Sequence, residues 1–162
     1  MKKTVLNREE NPVEELQRHV SKEYNNISLS YDEVYYLDYE VDENTGMINK
    51  DKLVPHYTKD QVARNLKSLK SAYLIAKGAA SPNEIIDFRK KYQMPASILS
   101  IILGFSKNTI SNIENEGVTS LPSGRLIKLC LSDKATLSYY IEICPAIEQS
   151  RKNEFIKRLA IN

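Results

Sequence analysis

At 162 residues, 41% hydrophobic and 27% charged, the chain has the composition of one ordinary globular domain or two small ones, with enough apolar residues to build a core without staples. A net charge of +2 excludes a binder driven by a broad positive field, and no run of about 18 apolar residues offers a membrane span. The start, Met1 to Leu6, is basic but has no apolar stretch behind it, and Cys130 and Cys144 lack CxxC or Cys-His spacing. Neither a secretory signal nor a zinc site is therefore expected; the expectation is a cytoplasmic protein without metal or cofactor.

Residues 1–10 are polar and read as a frayed end. Asn11-Pro12-Val13-Glu14-Glu15 has the marks of a helix start: an Asn cap, Pro at the first position and acids in the first turn. That start predicts a helix to about Glu23 that buries Val13, Leu16 and Val20. Asn25-Asn26 marks a turn. From Ile27 to about Ile48 the period becomes two, with Val34, Tyr36 and Asp38 alternating against Tyr35, Leu37, Tyr39 and Val41, a strand signal rich in Tyr and Val. Asn44-Thr45-Gly46 suits a hairpin tip, and Met47-Ile48 a return strand. Thr58-Lys59-Asp60-Gln61 is a capping box, followed at helical spacing by Val62, Leu66, Leu69, Tyr73 and Ala76, with Gly78 as the stop. Ser81-Pro82-Asn83-Glu84 is a second capping box, opening a helix from Ile85 to about Gln93.

The stretch from Met94 to Gly117 is the most informative. Ile98, Leu99, Ile102 and Leu103 share one helix face, Gly104 breaks the helix, and Ser106 is placed to cap a new one carrying Ile110 and Ile113 inward. Two short helices joined through a Gly-containing turn are the geometry that sets the second helix into a DNA major groove. The outward positions of that second helix are Ser106, Lys107, Asn108, Thr109, Ser111, Asn112 and Asn115. Asn pairs bidentately with adenine, Ser and Thr bond base edges or phosphate, and Lys suits phosphate or guanine. Arg89, Lys90, Lys91, Arg125 and Lys128 are candidates to line the phosphate backbone beside it, Arg89 and Arg125 foremost. Leu121-Pro122-Ser123 opens a further helix, Lys134 to Ile143 continues the bundle, and Pro145 separates it from a last amphipathic helix reaching about Leu159.

The run from Ile101 to Gly117, with its Leu-Gly pair and Thr-Ile-Ser-x-x-Glu, resembles the lambda-repressor-like (Cro/C1/XRE) helix-turn-helix pattern. With the flanking segments from Ser81 to Met94 and from Leu121 to Cys130, it is similar to the C-terminal domain of MqsA/YgiT-type antitoxins over roughly residues 58–142. The resemblance implies a lambda-repressor-like bundle and an autoregulating repressor, the antitoxin of a type II toxin-antitoxin pair. It also implies a homodimer on a palindromic double-stranded DNA operator, with recognition helices about 34 Å apart, and a cognate toxin as protein partner. Asn108 falls where those antitoxins carry a base-reading Asn, Asn112 where they carry a base-reading Arg, and Ala96 where the wider family carries a phosphate-anchoring Gln. Their zinc-binding N-terminal domain has no counterpart before residue 130.

The expected architecture is accordingly mostly α: a small α+β region over 1–57, a linking helix over 58–80, and a helix-turn-helix domain over 81–162. Six acids and no Lys or Arg lie within residues 24–49 (Asp32, Glu33, Asp38, Glu40, Asp42, Glu43), which reads as a solvated or protein-binding strand face rather than a metal site. His19 and His56 stand apart from any nucleophile, and five glycines form no phosphate loop, so no enzyme is expected. A phage- or plasmid-type repressor without a toxin, and a protein-interaction module built on a degenerate helix-turn-helix, are the alternatives.

Overall fold

Asn25 and Asn26 both adopt left-handed backbone (φ 47° and 60°), reversing the chain in two residues, as a hairpin loop with positive φ at both central positions requires. Around this turn, in a computed structural model that describes residues 2–161, strand β3 (Leu16–Tyr24) folds against β4 (Ile27–Val41) in an unbroken nine-pair register from Leu16↔Tyr35 to Tyr24↔Ile27. β5 (Ile48–His56) returns along the second half of β4, with a bulge at Tyr39/Glu40, giving an antiparallel sheet in the order β3-β4-β5. Its turn is built by Asp42, whose carboxylate accepts from the amides of Asn44 and Thr45, and by Gly46 at φ 71°. β1 (Thr4–Leu6) and β2 (Pro12–Glu14) pair as a separate two-stranded sheet.

Two expectations fail in this region. Residues 4–6 are a paired strand rather than a frayed end, and the helix expected from Asn11 to about Glu23 is strand on either side of Glu15. Val13, Leu16 and Val20 do recur at helical spacing, but Leu16 and Val20, four residues apart, also fall on one face of a strand. The Asn-Asn turn settles the choice, because it delivers β3 directly onto β4 and pairs its backbone groups. The fold is therefore α+β, 49% helix and 24% strand, and not the mostly helical arrangement the sequence suggested.

Helix α1 (Lys59–Ala76) starts at the expected capping box: Thr58 Oγ1 accepts from the Gln61 amide, and Gln61 Oε1 accepts from the Thr58 amide. Its apolar stripe is not its buried face in the first half. Gln61 is 0% exposed, whereas Val62 and Leu66 are 45% and 59% exposed. Gln61 and Arg64 both bond the Glu15 carboxylate, and the Asn65 amide group pairs with both the N–H (2.8 Å) and the C=O (2.9 Å) of Val34. Asn65 thus closes the β4 edge just beyond where β5 pairs with it.

The chain divides into two units between Leu69 and Lys70, inside α1 rather than at its ends. In the second unit α2 (Pro82–Tyr92), α3 (Ala96–Ile102), α4 (Thr109–Glu116), α5 (Leu121–Ser132), α6 (Lys134–Ile143) and α7 (Gln149–Ala160) follow one another. They share one apolar core that includes Leu74, Ile85, Leu99, Ile110, Ile127, Leu137, Ile141 and Phe155. Both capping boxes hold as read, since Ser81 Oγ accepts from the Glu84 amide and the Glu84 carboxylate from the Ser81 amide. Gly124 of α5 lies against Ala79 so closely that a Cβ there would clash with the Ala79 Cβ.

Candidate nucleic-acid interface

α3 and α4 are two short consecutive helices, and the link between them is short for a reason visible at Gly104. Its φ of 80° reverses the chain after Leu103, a conformation that costs an L side chain strain but glycine none. Ile98 and Ile101 are half-buried against the core and Ile102 is buried, so the greasy face of α3 is packed rather than left open.

α4 is braced from three directions. Ser100, buried at 0% exposure, donates from Oγ to the Ala96 carbonyl and accepts from the Ile110 amide at 2.9 Å. One otherwise orphaned N-terminal amide of α4 is thereby satisfied by the helix before it. From α2, Arg89 grips Glu114 with both forks, Nε to Oε1 at 2.5 Å and Nη2 to Oε2 at 2.8 Å, and adds a bond from Nη1 to the Met94 carbonyl. Glu114 beside it holds the Arg89 guanidinium above its ordinary pKa. Behind α4, the Ser71 hydroxyl accepts from the Val118 amide at 3.0 Å, and a Cβ on Gly117 would meet Ser71 at 2.8 Å. Ile110 and Ile113 complete the inner face in the core.

The opposite face is polar and open. Lys107, Asn108, Asn112 and Asn115 are exposed, and no hydrogen bond engages their side chains among the described residues. Asn108 and Asn112 are four residues apart and so share one face at the start of the helix. The other expected contacts are partly engaged. Ser106 and Thr109 hydroxyls bond each other at 2.9 Å, and Ser111 Oγ donates back to the Asn108 carbonyl at 3.0 Å. Ser106 does not cap the helix as expected; Asn108 occupies the N-cap position, in helical backbone and with no side-chain cap bond.

The basic flank does not assemble as the sequence suggested. Arg89 serves Glu114. Arg125 donates from Nε and Nη2 to the Lys77 carbonyl at 3.0 and 2.7 Å, closing the end of α1. Lys128 pairs with Glu84, and Lys91 lies over the Tyr92 ring, 5.3 Å from its centroid. Each of these cations finds a nearby carboxylate, orphaned helix carbonyl or ring face, all of which compete with phosphate. Ser71, Ser100 and Glu114 are the working residues that sequence reasoning missed. Only Ser100 carried a signal, a lone hydroxyl in the apolar turn Ile98–Ile102.

Other titratable groups have local duties. Burial pushes the Cys130 thiol up to about 11, so it stays protonated at neutral pH. Of the acidic strand residues, Glu33 pairs with Arg18 at 2.9 Å and Glu40 with Lys52 at 2.7 Å. Among the described residues no helix is long and apolar enough to cross a membrane. Comparison with protein-family models, with curated proteins and with solved structures gives no match to the chain.

Proposed function

We propose that this chain is a sequence-specific double-stranded DNA-binding repressor that reads its operator with α4. The observation that carries the reading is the contrast between the two sides of that helix. One side is fixed by Ser100, Arg89–Glu114 and Ser71; on the other, Lys107 and Asn108 just before the first turn and Asn112 and Asn115 along the helix are exposed, with no side-chain hydrogen bond among the described residues. Such an arrangement fixes the backbone that carries these donors and acceptors, so the cost of ordering the helix is met on folding and only that of the side chains is left to binding. In this reading Asn108 and Asn112 read adenine edges, Lys107 contacts phosphate, and Asn115 extends the contact toward the end of the helix. Arg89 sits behind the interface, where it neutralises Glu114 and keeps a carboxylate from repelling the backbone. A homodimer would read a palindrome. Autoregulation, with the first unit binding a toxin, is the biological role proposed with it.

A protein-interaction module is the second reading, favoured by the internal engagement of Arg89, Arg125 and Lys128. Fluorescence anisotropy on a duplex spanning the gene's own upstream region, against a scrambled duplex at two salt concentrations, separates the two. The repressor reading expects tight binding to the first duplex alone, weakening with salt and lost in Asn108→Ala/Asn112→Ala. Equal, weak binding to both duplexes rejects it and favours the module.

A further inference from the structure

The two outer strands of the three-stranded sheet are finished differently. β5 carries Pro55, and its pairing with β4 is broken by a bulge, two of the devices by which natural sheets keep an edge from recruiting another strand. β3 has neither. It has no proline, and its register with β4 runs straight through nine pairs.

The direction of its free backbone groups follows from Asn65. Because Asn65 takes both the N–H and the C=O of Val34, those groups face away from β3. In an antiparallel ladder the residue opposite then also faces outward. Val34 is opposite Gln17, so Gln17, His19, Ser21 and Glu23 aim four N–H and four C=O groups off the sheet edge. Among the described residues no hydrogen bond reaches them. The same alternation explains why Tyr24 and Ile27, the pair closing the hairpin, face each other. Apart from Leu16 and Val20, which are half-buried, the side chains of β3 are exposed, so nothing overlies this edge.

Charge says what fits there. Antiparallel pairing of β3 with another β3 about Val20 would place Arg18 against Lys22, a like-charge opposition. Pairing about Ser21 removes it: His19, whose Nδ1 already bonds Asp32 at 3.0 Å, then turns its other ring nitrogen to Glu23 of the second copy, twice, and Val20 faces the aliphatic stem of Lys22. The cationic heads that would guard such an edge are drawn inward over β4. Arg18 binds Glu33 and Tyr57 and lies 5.0 Å from the Tyr35 centroid, and Lys22 sits 5.8 Å from that of Tyr31. We propose that β3 pairs antiparallel with β3 of a second copy, with Ser21 on the two-fold axis, to form a continuous six-stranded sheet. The proposal rests on the sheet alone, and it stands or falls independently of DNA binding.

Cysteine trapping with sedimentation tests it on the full chain. On the axis, Ser21 faces Ser21 at about 5.5 Å between Cα atoms, within reach of a disulfide; Cys130 and Cys144 are buried. The Ser21→Cys variant is expected to give a disulfide-linked dimer under mild oxidation. Ser30→Cys, on the same face but one strand further in on each copy, is about 15 Å from its mate and is expected to stay uncrosslinked. Wild-type protein is expected to sediment as a dimer, and Glu23→Lys to weaken it roughly 2- to 30-fold, from two cross-strand pairs. Circular dichroism matching the wild type shows that each variant is folded. A monomer at micromolar concentration, a dimer indifferent to Glu23→Lys, or equal crosslinking of the two cysteine variants overturns the proposal.

Discussion

The two units of this chain hold themselves together by different chemistry. From Lys70 onward the buried set is overwhelmingly apolar, one cluster to which every helix of that unit contributes. Up to Leu69 the buried apolar side chains among the described residues are Leu29, Tyr31 and Tyr36, and polar groups take a large share of the rest. Glu15 clasps Arg64 and Gln61, Glu33 clasps Arg18, and Asn65 pairs with the backbone of Val34. An apolar core is tolerant of pH and intolerant of lost volume, whereas a polar clasp is the reverse. In the second unit that core holds the inner face of α4, through Ile110 and Ile113.

The largest effects should come from the core. Leu137→Ala and Ile110→Ala each remove a fully buried side chain and should cost about 2–5 kcal/mol in chemical denaturation; a loss under about 1 kcal/mol would mean the helical core is looser than described. Arg64→Ala should cost about 2 kcal/mol by leaving the buried Glu15 carboxylate short of its main partner. Hydrogen exchange should place that loss in β3 and β4 and spare α3 to α5, and a loss of protection spread evenly over both units would erase the contrast.

The pH dependence sharpens it further. The Arg64 hydrogen bond, above all, holds the Glu15 carboxyl down to about 2, against an ordinary value of 4.5. Because the folded pKa is depressed, the clasp contributes in full above pH 4.5 and its contribution is lost as the pH falls from 4.5 toward 2. Thermal melts of the wild type and Glu15→Gln should therefore differ at pH 7 and converge near pH 2. A gap that stays constant with pH would assign the stabilisation to packing. The smallest effect is Lys107→Ala, which should leave stability unchanged and reduce the salt slope of DNA binding by about 1.

The helical unit was legible in the sequence almost throughout, because capping boxes, Gly104 and apolar periodicity all point the same way. Both capping boxes and the α3–Gly104–α4 link appear where they were read. The first unit was not legible to the same degree. Val13, Leu16 and Val20 fit a helical period, but Leu16 and Val20, four residues apart, also fit a strand, and only the pairing partner across Asn25-Asn26 decides between the two. The face of α1 misleads for a related reason: Val62 and Leu66 make the apolar stripe, yet the face turned inward carries Asn65 for the β4 edge and Gln61 for the Glu15 carboxylate. At the candidate site the outward residues of α4 were readable from spacing. The engagement of Arg89 by Glu114 and of Arg125 by Lys77 was not, because those partners lie 25 and 48 residues away along the chain.

The central claim is that α4 reads base sequence, and selection from a randomised duplex library tests it without knowing the operator. Wild-type protein should enrich a palindromic motif containing adenines in each half-site, and Asn108→Ala/Asn112→Ala, folded by circular dichroism, should enrich none. Failure of the wild type to enrich any motif, or the same motif emerging from the double variant, would contradict the claim.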